Sequence, residues 1–195
     1  MTERPILFSG EMVRAILDRR KTQTRRVIKP QPNCVHDNHR WVWLKEKWVD
    51  CPYGQPGDRL WVRETWKSKY IGDCSDGKTT FAITYKSDNS EEHFNLSEDQ
   101  YWKYRNILDK PDVWHPSIFM PRWASRILRE IVNIRVERIQ DISEADIIAE
   151  GCPNEYLLGR SWYKPLWESI NAKRGFGWDT NPWVWVIEFK RIDNG

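Results

Sequence analysis

The chain predicts an α+β fold, and three observations carry that expectation. Pro182-Trp-Val-Trp-Val-Ile-Glu-Phe-Lys190 is dense in β-branched and aromatic residues and reads as a strand. Met12, Val13, Ile16 and Leu17 fall on one face of a helix. Between these ends the order is strand, helix, strands, helix pair, terminal strand, with no internal repeat. The 195 residues suffice for one domain with a core, or one domain carrying a large insertion.

Each element has a local reason. The apolar run Pro5-Ile-Leu-Phe8 predicts a strand over 4–9, and Ser9 can cap the helix that follows. Lys29-Pro30-Gln31-Pro32 cannot continue a helix. Residues 30–56 are irregular, with Trp41–Leu44 and Trp48-Val49 as short strands. Gln55-Pro-Gly-Asp58 is a turn that feeds the strand Arg59–Glu64. Thr79–Tyr85 is a further strand. Residues 86–113 are polar with little periodicity, so an inserted acidic loop is expected at about 65–113, with a helical turn near Glu98–Tyr104. Residues 127–139 form a long β segment. Ser143 starts a short helix with Asp146 at the capping-box position, and Gly151 ends it. Pro165, Leu166, Trp167 and Ile170 mark a second helix from near Ser161.

Charge singles out one stretch. Asp18–Arg26 places five cations and two threonines in nine residues. Cations this close repel one another, so they surround an anion or fan into solvent. A lysine three residues before a threonine also suits hydroxyl activation or oxyanion binding. The stretch is therefore a phosphate-binding edge, an active-site core, or both. The net charge is only +3, too weak to demand nucleic acid, but residues 1–30 hold eight cations against three anions. Thirteen tryptophans predict a ring-filled core, with Trp61, Trp183 and Trp185 inside it. At least one of Trp66, Trp114 and Trp123 is expected beside the basic cleft, where it could stack on a base.

No stretch resembles a signal peptide or a membrane span, so a soluble, cytoplasmic protein with no membrane partner is expected. Four cysteines at irregular spacing read as free thiols. Cys34, His36, His39 and Cys51 could supply four zinc ligands, but the spacing matches no standard knuckle, so no metal and no cofactor is expected.

The motifs together resemble a known family. Lys21-Thr-x-Thr-x-Arg26, Pro56-Gly-Asp-x-Leu-x-Val-x-Glu64, a Ser-Glu helix ending in Glu150-Gly151, and Val186-Ile-Glu-Phe189 are similar to the ASCH family of PUA-like, RNA-associated β-barrels. Ile118–Arg126 and Asn181–Val186 resemble its phage and prophage branch. The likeness covers roughly residues 4–64 and 114–191. It implies a single PUA-like barrel spanning 1–195, decorated with short helices. Some members are similar to bacterial amidohydrolases that deacetylate N4-acetylcytidine. The resemblance then implies Lys21, Thr24 and Glu150 as catalytic groups, needing no metal. The family usually has glycine two residues before the lysine, where this chain has Arg19. Glycine there would permit a positive φ or a close ligand approach.

The ligand-binding wall expected around that site comprises Arg20, Arg25, Arg26, Arg63, Glu64, Arg122, Trp123, Ser125 and Arg126. The arginines are phosphate or carboxylate partners, since a guanidinium is no base near neutral pH. Three functions follow: hydrolysis of an acyl-amide on a modified nucleoside, RNA binding without catalysis, or a phage protein that binds a host protein.

Overall fold

The computed structural model describes residues 1–36, 41–153 and 159–192. Its elements in chain order are β1 (Glu3–Leu7), α1 (Gly10–Leu17), β2 (Gln23–Val27), β3 (Cys34–Val35), β4 (Val42–Leu44), β5 (Lys47–Val49), β6 (Arg59–Arg63), β7 (Trp66–Asp73), β8 (Thr79–Tyr85), β9 (Glu91–Leu96), α2 (Glu98–Leu108), β10 (Leu128–Arg138), α3 (Glu144–Ala149), α4 (Gly159–Asn171) and β11 (Trp183–Arg191). The chain divides into two compact units. The first is Met1–Arg4, Ala15–Leu60 and Leu128–Gly195; the second is Pro5–Arg14 and Trp61–Ile127.

The first unit is built on the antiparallel pairing of β10 with β11 and of β11 with β2, within a sheet ordered β1-β6-β10-β11-β2. Directly opposed residues share a face of a sheet. Gln23, Arg25 and Val27 therefore share one face with Val184, Val186 and Glu188 of β11 and with Arg135 and Glu137 of β10. Helices α3 and α4 cover that face. Ile147, Tyr163 and Trp167 pack there with Val184, Val186 and Trp178. The opposite face carries Thr24 and Arg26 with Trp185, Ile187, Ile134 and Val136. Apolar residues fill both sides of β11, which explains its nearly continuous hydrophobic sequence. A small sheet of β3, β4 and β5 completes the unit. Its tight turn places Lys45 and Glu46 at positive φ, as a two-residue hairpin requires.

The second unit contains the antiparallel meander β7-β8-β9 and α2. Phe81, Ile83 and Tyr85 alternate inward along β8 and meet Trp66, Leu96, Leu108, Met120 and Ala124. Ser97 opens α2 with a capping box to Gln100, an arrangement worth about 1 kcal/mol.

Two expectations are corrected. The barrel does not close: among the described residues there are three sheets, none of them closed. The reason lies at β2. The residues just before it meet the end of α3 and not another strand. The Thr22 N–H donates to the Ala149 carbonyl at 2.8 Å, and Lys21 forms a lone antiparallel bridge with Glu150. The backbone entering β2 is thus committed to the end of α3, and β2 stays the edge strand of its sheet. The stretch 65–113 is likewise no loop. It supplies three strands, an eleven-residue helix and a core of its own. Trp61 and Trp185 are buried as expected, whereas Trp183 is half-buried with the Arg138 guanidinium 4.2 Å above its ring.

No helix among the described residues is long and apolar enough to cross a membrane.

Candidate active site

The site begins at the end of α1. The Arg19 N–H donates to the Ile16 carbonyl at 3.1 Å and the Arg20 N–H to the Ala15 carbonyl at 2.9 Å. This is a Schellman closure, which needs a left-handed residue after the helix. Arg19 takes that place at φ 63°, although glycine is the residue that does so without strain. The chain then reverses, and Lys21 enters the interior beside Glu150.

Glu150 is placed by α3. The Ser143 hydroxyl accepts from the Asp146 N–H at 3.1 Å and starts the helix, and Glu150 is its C-terminal cap. Gly151 follows at φ 99°. A Cβ there would lie 3.0 Å from the Ala15 Cβ and 3.1 Å from the Lys21 Cβ, so only glycine fits the crossing.

The two side chains meet at hydrogen-bond distance. Lys21 Nζ lies 2.6 Å from Glu150 Oε2 and also donates to the Glu150 carbonyl at 2.9 Å. The side chains are 1% and 4% exposed. Burial lowers the Lys21 pKa, and the Glu150 carboxylate opposes that shift. Arg25 closes the other side. Its Nη1 donates to Glu150 Oε1 at 3.2 Å, its Nε to Glu137 Oε1 at 2.9 Å, and its Nη2 lies 3.1 Å from Asp146 Oδ2. Burial opposes the charge on Arg25, yet the Glu150 and Glu137 carboxylates raise its pKa. Asp146 also accepts from Gln23 at 3.1 Å and from Arg135 at 2.8 Å. Burial pushes its carboxyl up, but the bonds from Ser143 and Gln23 and the two guanidiniums outweigh it and hold it at about 2. Arg135 extends the cluster to Glu137 at 3.1 Å and to Glu188. Tyr163 of α4 is buried beside it; burial and the Glu150 charge push its hydroxyl well above the usual value.

Lys21, Arg25 and Glu150 thus come together as expected candidates, and Gln23, Arg135, Glu137, Asp146, Tyr163 and Glu188 join them unforeseen. Asp146 is visible in sequence only as a capping residue, and Arg135-x-Glu137 resembles a solvated strand face. Thr24 is buried on the opposite face of β2 from Arg25, and its hydroxyl has no hydrogen-bond partner among the described residues. Arg26 shares that face, and burial lowers its pKa. Arg20 is half-buried, donating to the Gly151 carbonyl at 2.8 Å and pairing with Asp18 at 3.0 Å.

The remaining wall residues belong to the second unit. Arg126 grips Glu64 with two parallel bonds of 2.9 and 3.0 Å, pairs with Asp88 at 2.9 Å, and lies 4.0 Å over the Tyr85 ring. These carboxylates outweigh burial and raise its pKa. Glu64 is 1% exposed and also accepts from the Ser87 hydroxyl at 2.7 Å. Ser125 donates to the Val62 carbonyl at 2.8 Å, and Arg63 donates to the Ile118 carbonyl at 3.2 Å while stacking on Trp61. Arg122 is exposed. Trp123 packs edge-on against Trp66, Phe94 and Tyr104, and Trp66 is fully buried, so neighbouring rings cover both indoles. Trp114 lies under the ammonium groups of Lys67 and Lys86.

His39 of the candidate zinc set lies outside the described residues. Among the described residues no three His, Cys, Asp or Glu side chains are grouped to hold a metal. Comparison with protein-family models, curated proteins and solved structures finds no match.

Proposed function

We propose that the chain is an ASCH-type hydrolase of the phage and prophage branch that removes an acyl group from a modified nucleoside, free or within RNA, in the cytoplasm. The observation that carries this is the Lys21–Glu150 pair: 2.6 Å apart, almost fully buried, and with the lysine pKa lowered. A buried carboxylate beside a perturbed ammonium is a proton-handling pair with an oxyanion donor attached. The balance is that of amide hydrolysis. Water adds its oxygen to the acyl carbon, and Glu150 accepts the water proton. Lys21 holds the developing oxyanion. Glu150 then returns the proton to the leaving nitrogen, the C–N bond breaks, and the free amine departs with acetic acid, which loses its remaining proton to solvent as acetate. Thr24 stands on the opposite face of β2 from Arg25, so no part in this step is assigned to it.

The burial of Lys21 and Arg25 argues against a multi-phosphate RNA track along residues 19–26. Both are already paired with carboxylates, which leaves Arg19 exposed and Arg20 half-buried to meet a backbone. Salt separates the two functions, because strand binding weakens steeply as salt rises and a nucleoside pocket hardly responds.

The test is acetate release from N4-acetylcytidine by purified protein in the presence of a chelator. Activity is expected for wild type, and loss of at least about 100-fold for Lys21→Met and Glu150→Gln. If no acylated nucleoside in a panel is hydrolysed while RNA still binds, the proposal is wrong and the chain is a non-catalytic RNA-binding module.

A further inference from the structure

The second unit holds a cavity of about 400 Å³ remote in chemistry from any basic site. Three aromatic rings and two carboxylates dominate its lining: Tyr70, Phe81, Tyr101, Asp73 and Asp109, with Leu108 beside them. Its size falls in the range, roughly 300–1,000 Å³, of small-molecule sites.

The rings are set at angles to one another. Phe81 is 2% exposed. The Tyr70 ring stands edge-on to it at 5.9 Å and 75°, and the Tyr101 ring lies nearly parallel to it at 6.1 Å. Tyr70 itself is half exposed, so the cavity is reached from solvent. Ring faces carry partial negative charge and attract cations.

The carboxylates reinforce that sign. Asp73 accepts from the Thr79 hydroxyl at 3.0 Å and forms no ion pair among the described residues. Asp109 accepts from the Tyr101 hydroxyl at 3.1 Å, and its other oxygen is 3.6 Å from Arg105 Nε, a loose surface contact. No lysine or arginine lines the cavity; nearby Lys78 is engaged by Asp76 at 2.7 Å. Phosphates and carboxylic acids would be repelled. A hard metal ion would want six or more oxygen ligands, which rings do not supply. A cation with an apolar periphery satisfies both the ring faces and the carboxylates.

We propose that this pocket binds a small alkylated ammonium ion. The ligand sits between the Tyr70 and Tyr101 rings, with Asp73, which accepts hydrogen bonds from Thr79 and Tyr70 but forms no ion pair among the described residues, supplying the counter-charge. The assignment is independent of the Lys21–Glu150 chemistry.

The experiment is a titration of the full chain with choline, with tetramethylammonium, and with 3,3-dimethylbutan-1-ol, the uncharged shape analogue of choline. Binding is read by calorimetry and by chemical-shift changes of the ring protons. Saturable binding of both cations is expected, with the neutral alcohol at least about tenfold weaker. Tyr101→Leu should abolish binding. Should that variant fold poorly by circular dichroism, Asp73→Asn at an exposed position decides the matter and should weaken choline by roughly three- to tenfold. Absence of saturable binding for both cations, equal binding of the alcohol, or unchanged affinity in Asp73→Asn would each overturn the proposal.

Discussion

Replacing Glu150 by glutamine tests the buried pair most directly. The substitution keeps the shape and removes the charge, so the Lys21 ammonium, 1% exposed, loses the carboxylate that lies 2.6 Å from it. Such a lysine folds by giving up its proton. From a reference value of 10.5, neutralising it at pH 7 costs at most about 5 kcal/mol, which agrees with the roughly 3–5 kcal/mol for breaking a buried pair. For a chain of this length each kcal/mol moves the melting temperature by about 2–4 °C, so a fall on the order of 10 °C is expected. The sign with pH follows from proton counts. In the variant the unfolded state binds one more proton than the folded state until about pH 10, so the deficit shrinks as pH rises from 7 to 9.5. The wild-type lysine, lowered less because Glu150 opposes the shift, gains stability in the same direction and over a narrower alkaline window. Lys21→Met is milder, since Glu150 retains Arg25 at 3.2 Å. Adding Lys21→Met to Glu150→Gln removes the stranded charge and should recover part of the loss. Urea unfolding at pH 7 and 9.5 measures all four proteins. A double variant no more stable than Glu150→Gln alone, or a deficit that stays constant with pH, would refute the reasoning.

Three further outcomes follow from single residues. Asp146 is held at about 2 against 3.8 by its bonds from Ser143 and Gln23 and by the Arg25 and Arg135 guanidiniums, a contribution of about 1 kcal/mol after solvent screening that is present above pH 4 and lost as pH falls toward 2. Asp146→Asn should therefore flatten the acid limb of the stability curve measured by urea unfolding. Gly151→Ala forces a side chain onto a left-handed backbone 3.0 Å from the Ala15 Cβ and should cost about 1–3 kcal/mol by thermal denaturation. Burial pushes the Cys51 thiol up to about 12, so at pH 8 a thiol reagent should label exposed Cys34 promptly and Cys51 only on unfolding.

Local signals in the sequence were reliable where the physics is local. Ser143 and Asp146 cap α3 through bonds spanning three residues, and Gly57 and Asp58 form the expected turn. The meeting of Lys21 with Glu150 was legible only through resemblance, since 129 residues separate them. The inward turn of Arg25 was not legible. A charge run normally reads as a solvated face. Its burial depends on Glu137, Asp146 and Glu150, each more than a hundred residues away. Barrel closure failed for a similar reason: nothing in the strand sequences says that the end of α3 meets the chain just before β2. Within the meander, the sequence of β8 marks a strand but that of β9 does not, because β9 shows the core only Phe94 and Leu96 while Glu91, Glu92 and His93 face water.

Arg19 joins the sequence departure to the structure. Arg19 adopts φ 63° at the end of α1 although it carries a side chain, and the Arg19 and Arg20 N–H bonds to Ile16 and Ala15 close the helix there. The left-handed turn is therefore a requirement of the α1–Lys21 connection, and the arginine tolerates it at a backbone cost of about 1–2 kcal/mol. Its side chain is exposed. Arg19→Gly should relieve the strain, partly offset by the greater freedom of glycine in the unfolded chain, for a net gain of about 0.5 kcal/mol. Arg19→Ala keeps the strain and loses nothing buried, so it should fall below Arg19→Gly by about 1 kcal/mol. Paired urea curves measure the difference, and an alanine variant as stable as the glycine variant would show that the helix end is not closed this way. Because Lys21 follows the turn directly, relieving Arg19 should leave the contact between Lys21 and Glu150 in place, and the proposed acyl release with it.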